Sequence, residues 1–220
     1  MSKQTLSIFA ILMIAACSLA ASAQSINCDA DDYDCLIKAT TKEIRANPKD
    51  AMLYYNRAQA YYSKENYKLA IPDYAKAATL DPANSDAFYG LGLCYYQTAQ
   101  YTLSVKNYTS AITLDAEYKH AWYGRGLAYI ELKNLTQAMK DFNKTIEIDS
   151  EYVSAYIGRG IVYGEQKKYN MAIREFTKAI ELDPTRPEAY GNRGISYERL
   201  GNMEKAQADF DKANELEGNN

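Results

Sequence analysis

The stretch AWYGRGLAYI, residues 121–130, decides the fold because the chain repeats it. Variants of this segment occur at four other places: LYYNRAQAYY at 53–62, AFYGLGLCYY at 87–96, AYIGRGIVYG at 155–164 and AYGNRGISYE at 189–198. Together the five segments begin at intervals of 34 residues. A fixed period of about 20 to 50 residues is typical of proteins built from stacked units. Each unit in such a stack buries its apolar face against its neighbours.

The five copies align without insertions when each is numbered from 1 to 34. They then occupy residues 51–84, 85–118, 119–152, 153–186 and 187–220. Large aromatic residues fall at positions 4, 11 and 24, and small residues at positions 8 and 20. These spacings place the large and small residues on one face of each of two helices, where they can interlock. Asp81-Pro82 and Asp183-Pro184 end the second helix, because the residue before proline avoids helical angles.

This pattern resembles the tetratricopeptide repeat family, whose members carry an aromatic at 4, Leu-Gly at 7–8, Tyr at 11, Ala at 20, an aromatic at 24 and Pro at 32. The resemblance covers residues 51–220 and implies an all-α fold, a right-handed α-solenoid of helix-turn-helix repeats with a concave face. The chain departs from the family at position 32, where three copies lack proline. It also departs at position 7, where four copies have arginine instead of leucine.

Residues 1–23 have the features of a secretory signal peptide: one lysine, an apolar run from Ile8 to Ala16 and the small-residue sequence Ala21-Ser22-Ala23. The apolar run is shorter than the roughly 20 residues of a membrane-spanning helix. We therefore expect cleavage after Ala23 and export to the periplasm or the outside. Ile14-Ala15-Ala16-Cys17 also resembles a lipobox, so the alternative is a lipoprotein anchored to a membrane through Cys17.

Residues 24–50 are predicted to form an N-terminal half-repeat that caps the array, because residues 33–48 continue the pattern of a second helix backwards. In an oxidising compartment Cys28 and Cys35 can form a disulfide. Seven residues of continuous helix would hold their Cα atoms about 10.5 Å apart, so a bonded pair requires a turn between them. The other interpretation is two free thiols. Cys94 falls at a small core position of the repeat.

The arginines of position 7 have a partner in the sequence itself. The second copy, which lacks the arginine at Leu91, also lacks the acid of position 23 and has Asn107 there. A half-buried charge is costly unless it is paired. We infer structural ion pairs, within a repeat or between neighbouring repeats. The residues are Arg57 with Asp73, Arg125 with Asp141, Arg159 with Glu175, and Arg193 with Asp209.

The resemblance also implies which residues line the concave face, since positions 2, 5, 9 and 12 of the first helices do so in the family. Carried over to this chain, the predicted groove is rich in tyrosine, a residue suited to protein recognition. The other interpretation is that several of these tyrosines pack against a neighbouring repeat. The predicted groove residues are Tyr55, Tyr62, Tyr89, Leu93, Tyr96, Tyr123, Leu127 and Ile157.

Composition argues against other functional classes. The net charge of −3 and the mixing of acids with bases argue against nucleic-acid binding. A single histidine, His120, and the absence of metal-binding and nucleophile motifs predict no metal, no cofactor, no small-molecule substrate and no enzymatic activity. The sequence thus predicts an exported scaffold that binds a protein or peptide in the groove. The alternative is a tethered lipoprotein serving as a structural subunit of an envelope assembly, with membrane contact only if Cys17 is lipidated.

Overall fold

The computed structural model describes residues 28–29 and 31–218, and this part of the chain contains eleven α-helices and no strand. The predicted signal peptide and the lipobox at Cys17 lie outside the described residues. No described helix combines the length and apolar character needed to cross a membrane. The helices are α1 Tyr33–Ala46, α2 Ala51–Ser63, α3 Tyr67–Leu80, α4 Ser85–Gln97, α5 Tyr101–Leu114, α6 Lys119–Glu131, α7 Leu135–Ile148, α8 Val153–Glu165, α9 Tyr169–Leu182, α10 Pro187–Arg199 and α11 Met203–Gly218.

The chain divides into two compact units, one that ends at Ala128 and one that begins at Tyr129. In the first unit each helix from α1 to α4 packs on the next helix along the chain. In the second unit the same holds from α7 to α10. The expected all-α class with helix-turn-helix repeats is confirmed, because the helices of both units follow one another in packed consecutive pairs.

Side chains just before several helices satisfy the backbone N–H groups of their first turns. Asp50 accepts a hydrogen bond from the N–H of Met52 at 2.9 Å, and Asn84 accepts one from Ala87 at 3.1 Å. Asp and Asn are favoured at this position because their short side chains reach these donors. The polar residue before each first helix of the first two repeats therefore fixes where that helix begins.

Aromatic rings at position 24 fill the space between helices whose backbones come close together. The ring of Tyr108 is buried, and glycines lie on either side of it: Gly92 of its own repeat and Gly124 of the next. A Cβ atom added at Gly92 would come within 2.5 Å of the Tyr108 ring, and one at Gly124 within 2.6 Å. The glycines are needed here because any side chain would occupy the space of the ring.

The turn between the two helices of each repeat has one residue in the left-handed backbone region. Its φ angle is 55° at Glu65, 57° at Ala99, 58° at Lys133 and 59° at Lys167, and the last repeat has Gly201 at this place with φ 77°. Only glycine adopts this region without steric cost. Four of the five turns thus hold a non-glycine residue in a strained conformation.

Candidate functional site

The predicted groove residues of the first unit lie on three first helices. Tyr55 and Tyr62 are on α2, while Tyr89, Leu93 and Tyr96 are on α4. Tyr123 and Leu127 follow on α6. The helical register therefore spaces these side chains at positions 5, 9 and 12 of successive repeats.

Burial divides these residues into two groups. Tyr89 is only 7% exposed, Leu127 is 4% exposed, and Leu93 and Tyr123 are also buried. The Tyr89 ring centroid lies 5.8 Å from that of Tyr108 and 5.0 Å from that of Tyr118. Neighbouring side chains cover most of these four residues, and their part in partner binding stays a prediction.

The remaining tyrosines, Tyr55, Tyr62 and Tyr96, are partly exposed and held by other rings. Tyr62 meets Tyr67 edge to face with centroids 5.3 Å apart, and Tyr96 meets Tyr101 in the same way at 5.5 Å. Such ring pairs add about 0.5–1.5 kcal/mol beyond the burial of their area. We define the tyrosine surface as Tyr55, Tyr62, Tyr67, Tyr96 and Tyr101.

Burial keeps two hydroxyl groups of this surface protonated at physiological pH. Burial raises the pKa of the Tyr62 hydroxyl to about 12, although a hydrogen bond with the Gln97 side chain opposes the shift. Burial also raises the pKa of Tyr67. The Gln59 amide donates a hydrogen bond to the Tyr55 hydroxyl oxygen at 2.8 Å. The surface therefore presents neutral rings in fixed orientations, which suits contact with another polypeptide.

Sequence reasoning missed Tyr67 and Tyr101, the residues at position 17 that complete the two ring pairs. Position 17 starts the second helix and is not among the positions that the family resemblance assigns to the concave face. A signal was available, because both copies that have tyrosine at position 12 also have tyrosine at position 17.

In the second unit, Ile157 is 1% exposed and belongs to a core cluster with Tyr156, Phe176 and Ala189. Aliphatic and aromatic side chains of its own unit pack against it, and its role as a groove residue stays a prediction.

Comparisons with known proteins agree with the fold of paired helices. Tetratricopeptide repeat models match residues 85–118, 120–152 and 187–220, and a further TPR repeat model matches residues 58–99 and 162–201. Together they cover well over half of the chain. The chain belongs to the tetratricopeptide repeat family. No curated protein matches its sequence.

Several solved tetratricopeptide structures resemble the chain. A crystal structure of MamA is 26% identical with a TM-score of 0.66, and the match covers 74% of this chain and 95% of that one. YrrB, described as a TPR protein with an unusual peptide-binding site, is 27% identical with a TM-score of 0.65, covering 82% and 93%. MamA from Desulfovibrio magneticus RS-1, 21% identical with a TM-score of 0.69 over 77% and 96%, shows likeness of fold alone.

In the first, fourth and fifth tetratricopeptide repeats, the arginine of position 7 meets the acid of position 23 of the same repeat. Arg57 donates to Asp73 through Nε at 2.6 Å and through Nη2 at 2.7 Å. Arg193 makes the same two-pronged contact with Asp209, at 2.8 Å for both bonds. The hydrogen bonds to the paired carboxylates raise the pKa of both arginines. In the fourth repeat, Arg159 Nε and Nη2 both donate to Oε2 of Glu175, at 2.9 and 2.7 Å.

Arg125 lies in the first unit and Asp141 in the second. The Arg125 guanidinium lies 4.7 Å from the centroid of the Trp122 ring and donates to the Thr109 hydroxyl at 3.0 Å. Asp141 is buried on α7.

The same arginines also reach the preceding repeat, through a position that sequence reasoning overlooked. Arg57 Nη1 donates to the Thr41 hydroxyl at 3.1 Å. The equivalent acceptors of position 25 are Thr109 for Arg125, Asn143 for Arg159 and Thr177 for Arg193. The repeat before Leu91 has Ala75 at position 25, and alanine has no side-chain acceptor. Where the arginine is absent, the acid and the acceptor are absent too, and this pattern is visible in the sequence.

The cysteines lie in two different environments. A disulfide joins Cys28 and Cys35, whose Cα atoms are 5.9 Å apart. Asp32 begins α1 between them and accepts a hydrogen bond from the N–H of Cys35 at 2.9 Å. Cys94 is a buried free thiol, and burial raises its pKa to about 12. A thiol of that pKa stays protonated and unreactive at neutral pH.

Proposed function

We propose that the chain is an exported, non-enzymatic scaffold that binds a peptide or protein segment across the tyrosine surface of its first unit. The family supports the coarser statement, a scaffold for protein–protein interaction, and the solved relatives include one with a peptide-binding site. The observation that carries the finer proposal is the pair of ring contacts, Tyr62 with Tyr67 and Tyr96 with Tyr101, which hold partly exposed tyrosines in place.

Ordered tyrosines favour binding because little side-chain freedom remains to be lost. Immobilising a flexible side chain on association costs about 0.5–1.5 kcal/mol. Rings that neighbouring rings already hold avoid part of that cost. Tyrosine also brings a hydroxyl that can hydrogen-bond the backbone of an extended or helical segment.

The tyrosine surface can be tested with peptides selected from a random display library on the purified protein. Tyr55→Ala combined with Tyr96→Ala is expected to weaken the selected peptides at least 10-fold, since hot-spot residues contribute about 2 kcal/mol or more each. The control is Tyr190→Ala, which makes the same chemical change at a partly exposed tyrosine of the second unit. Unchanged affinity in the double variant, with helical circular dichroism preserved, would refute the proposal.

Export is tested by the intact mass of the protein isolated from its native host. A chain beginning at Gln24, which gains the mass of two hydrogen atoms on reduction, is the expected result. A chain beginning at Cys17 with added acyl groups would replace free export by the tethered alternative, a structural lipoprotein of an envelope assembly. A chain that retains Met1 would contradict both.

A further inference from the structure

A cavity of about 580 Å³ opens in the second unit between α8, α9 and α10. Ile161 of α8 and Ile195 of α10 contribute apolar surface, and the ring of Phe176 lies behind them on α9. Charged and polar side chains, including Arg199, complete the lining. A recess that joins apolar surface with polar and charged groups can bind a side chain that is itself part apolar and part polar.

In the first repeat, a tyrosine side chain occupies the position that corresponds to this cavity. Position 12 is Tyr62 in the first repeat and Tyr96 in the second, whereas it is Gly164 in the fourth. Gly164 lines the cavity, and a Cβ atom added there would meet no atom of the described residues within 4 Å. The fourth repeat therefore lacks the ring that the first two repeats place at this point of the helix.

The surroundings of Tyr62 show what the missing ring would touch. Tyr62 packs edge to face on Tyr67 and lies against the core cluster that contains Cys94. The Gln97 side chain of the next repeat is close enough to lower the pKa of its hydroxyl. The residues at these three positions of the fourth and fifth repeats are Tyr169, Arg199 and Ser196. All three line the cavity. The second unit thus has residues that correspond to the surroundings of Tyr62, but it has glycine at the position of Tyr62 itself.

A second substitution adds to the space. Position 6 is glycine in the second, third and fourth repeats, where the aromatic ring of the preceding repeat crowds it. In the fifth repeat it is Asn192, which lines the cavity and donates from its side chain to the backbone oxygen of Glu188 at 2.7 Å. A polar amide therefore stands beside Phe176 and can hydrogen-bond an incoming group.

We propose that this cavity receives a tyrosine side chain from a partner polypeptide. The ring packs on Tyr169 in the way that Tyr62 packs on Tyr67. Its hydroxyl accepts a hydrogen bond from the Arg199 guanidinium, which stands where Gln97 stands for Tyr62. This inference rests on the proposed scaffold function but on a different unit from the tyrosine surface.

The chemistry of the cavity mouth favours tyrosine over phenylalanine. Lys133 approaches Glu165 at 3.6 Å and offsets its charge, and the lining also includes Lys167 and Arg199. The remaining charge is positive, which suits an electron-rich hydroxyl oxygen. A hydrogen bond of about 0.5–1.5 kcal/mol corresponds to a preference of roughly 2- to 10-fold for tyrosine.

N-acetyl-tyrosinamide and N-acetyl-phenylalaninamide are suitable probes, followed by backbone amide chemical shifts of the labelled protein. We expect the tyrosine amide to shift residues 160–169 and 192–199 with a dissociation constant in the millimolar range, and the phenylalanine amide to bind more weakly. An absence of shifts at these residues would overturn the proposal. Equal binding of the two amides would overturn the contact with Arg199.

Variants at one residue separate filling of the cavity from other effects. Gly164→Tyr restores the residue of the first two repeats and is expected to abolish probe binding while raising the melting temperature. Gly164→Ala is the matched control, because it also removes glycine from the helix but leaves the cavity open and binding intact. Persistent binding to a folded Gly164→Tyr protein would contradict the proposal.

Arg199→Met provides an independent test, since Arg199 is exposed and its replacement leaves the core untouched. We expect it to reduce tyrosine-amide binding to the level of the phenylalanine amide. Peptides that depend on Tyr55 and Tyr96 should bind the Gly164→Tyr protein normally. A failure of this cavity therefore stays distinguishable from a failure of the tyrosine surface.

Discussion

Replacing Arg57 by leucine should destabilise the first unit far more than the loss of one surface contact. Arg57 and Asp73 share two hydrogen bonds of 2.6 and 2.7 Å, and their side chains are only 18% and 9% exposed. Arg57→Leu leaves the Asp73 carboxylate nearly buried without its partner. Breaking a fully buried pair costs about 3–5 kcal/mol, and for this partly exposed pair we expect a loss of about 2–4 kcal/mol.

The chain supplies its own control for this prediction. The second repeat has Leu91 and Asn107 at the two positions, preceded by Ala75. The double variant Arg57→Leu with Asp73→Asn copies that repeat and removes the buried charge together with its partner. We expect it to be destabilised by less than about 1 kcal/mol, because replacing a buried pair by apolar or neutral groups is often nearly neutral.

The assay is urea unfolding followed by far-ultraviolet circular dichroism of the wild type, the two single variants and the double variant. The four free energies form a double-mutant cycle, whose expected coupling is about 2 kcal/mol. If the loss in the double variant equals the sum of the two single losses, the paired substitution in the second repeat has no energetic basis and the reasoning fails.

Two further predictions concern the cysteines and the tyrosines. Cys28→Ser with Cys35→Ser should lower the free energy of unfolding by up to about 2.5 kcal/mol, the chain-entropy value for so short a loop. Thermal melts of the wild type with and without reductant should show the same difference. A melting temperature that does not change would contradict this prediction. Stability should be constant below about pH 8 and fall progressively from there to about pH 12. The unfolded state releases the Cys94 proton at about pH 8.5 and the Tyr62 proton at about pH 10, whereas in the folded state both groups have a pKa of about 12. Urea midpoints across that range would decide, and a midpoint that rises with pH would contradict the assignment.

The period of 34 residues was enough to predict the helical pairs, because large and small residues recur at the same positions in every copy. It could not decide which register positions remain accessible. Tyr89 and Tyr96 both follow the groove pattern, yet Tyr118, from the end of the second repeat, covers the first and not the second. The cavity was hidden for the same reason. Gly164 is visible in the sequence, but only the structure shows that no side chain of the described residues takes the place of its missing one.

The four strained turns lower the stability of this protein at places that do not belong to its packed surfaces. A non-glycine residue in the left-handed region costs about 1–2 kcal/mol, and Glu65, Ala99, Lys133 and Lys167 each bear that cost at the same point of their repeats. Glycine, as at Gly201, relieves it without altering any interface between helices. Selection can therefore raise or lower the durability of single repeats one turn at a time, while the surfaces that meet a partner stay unchanged.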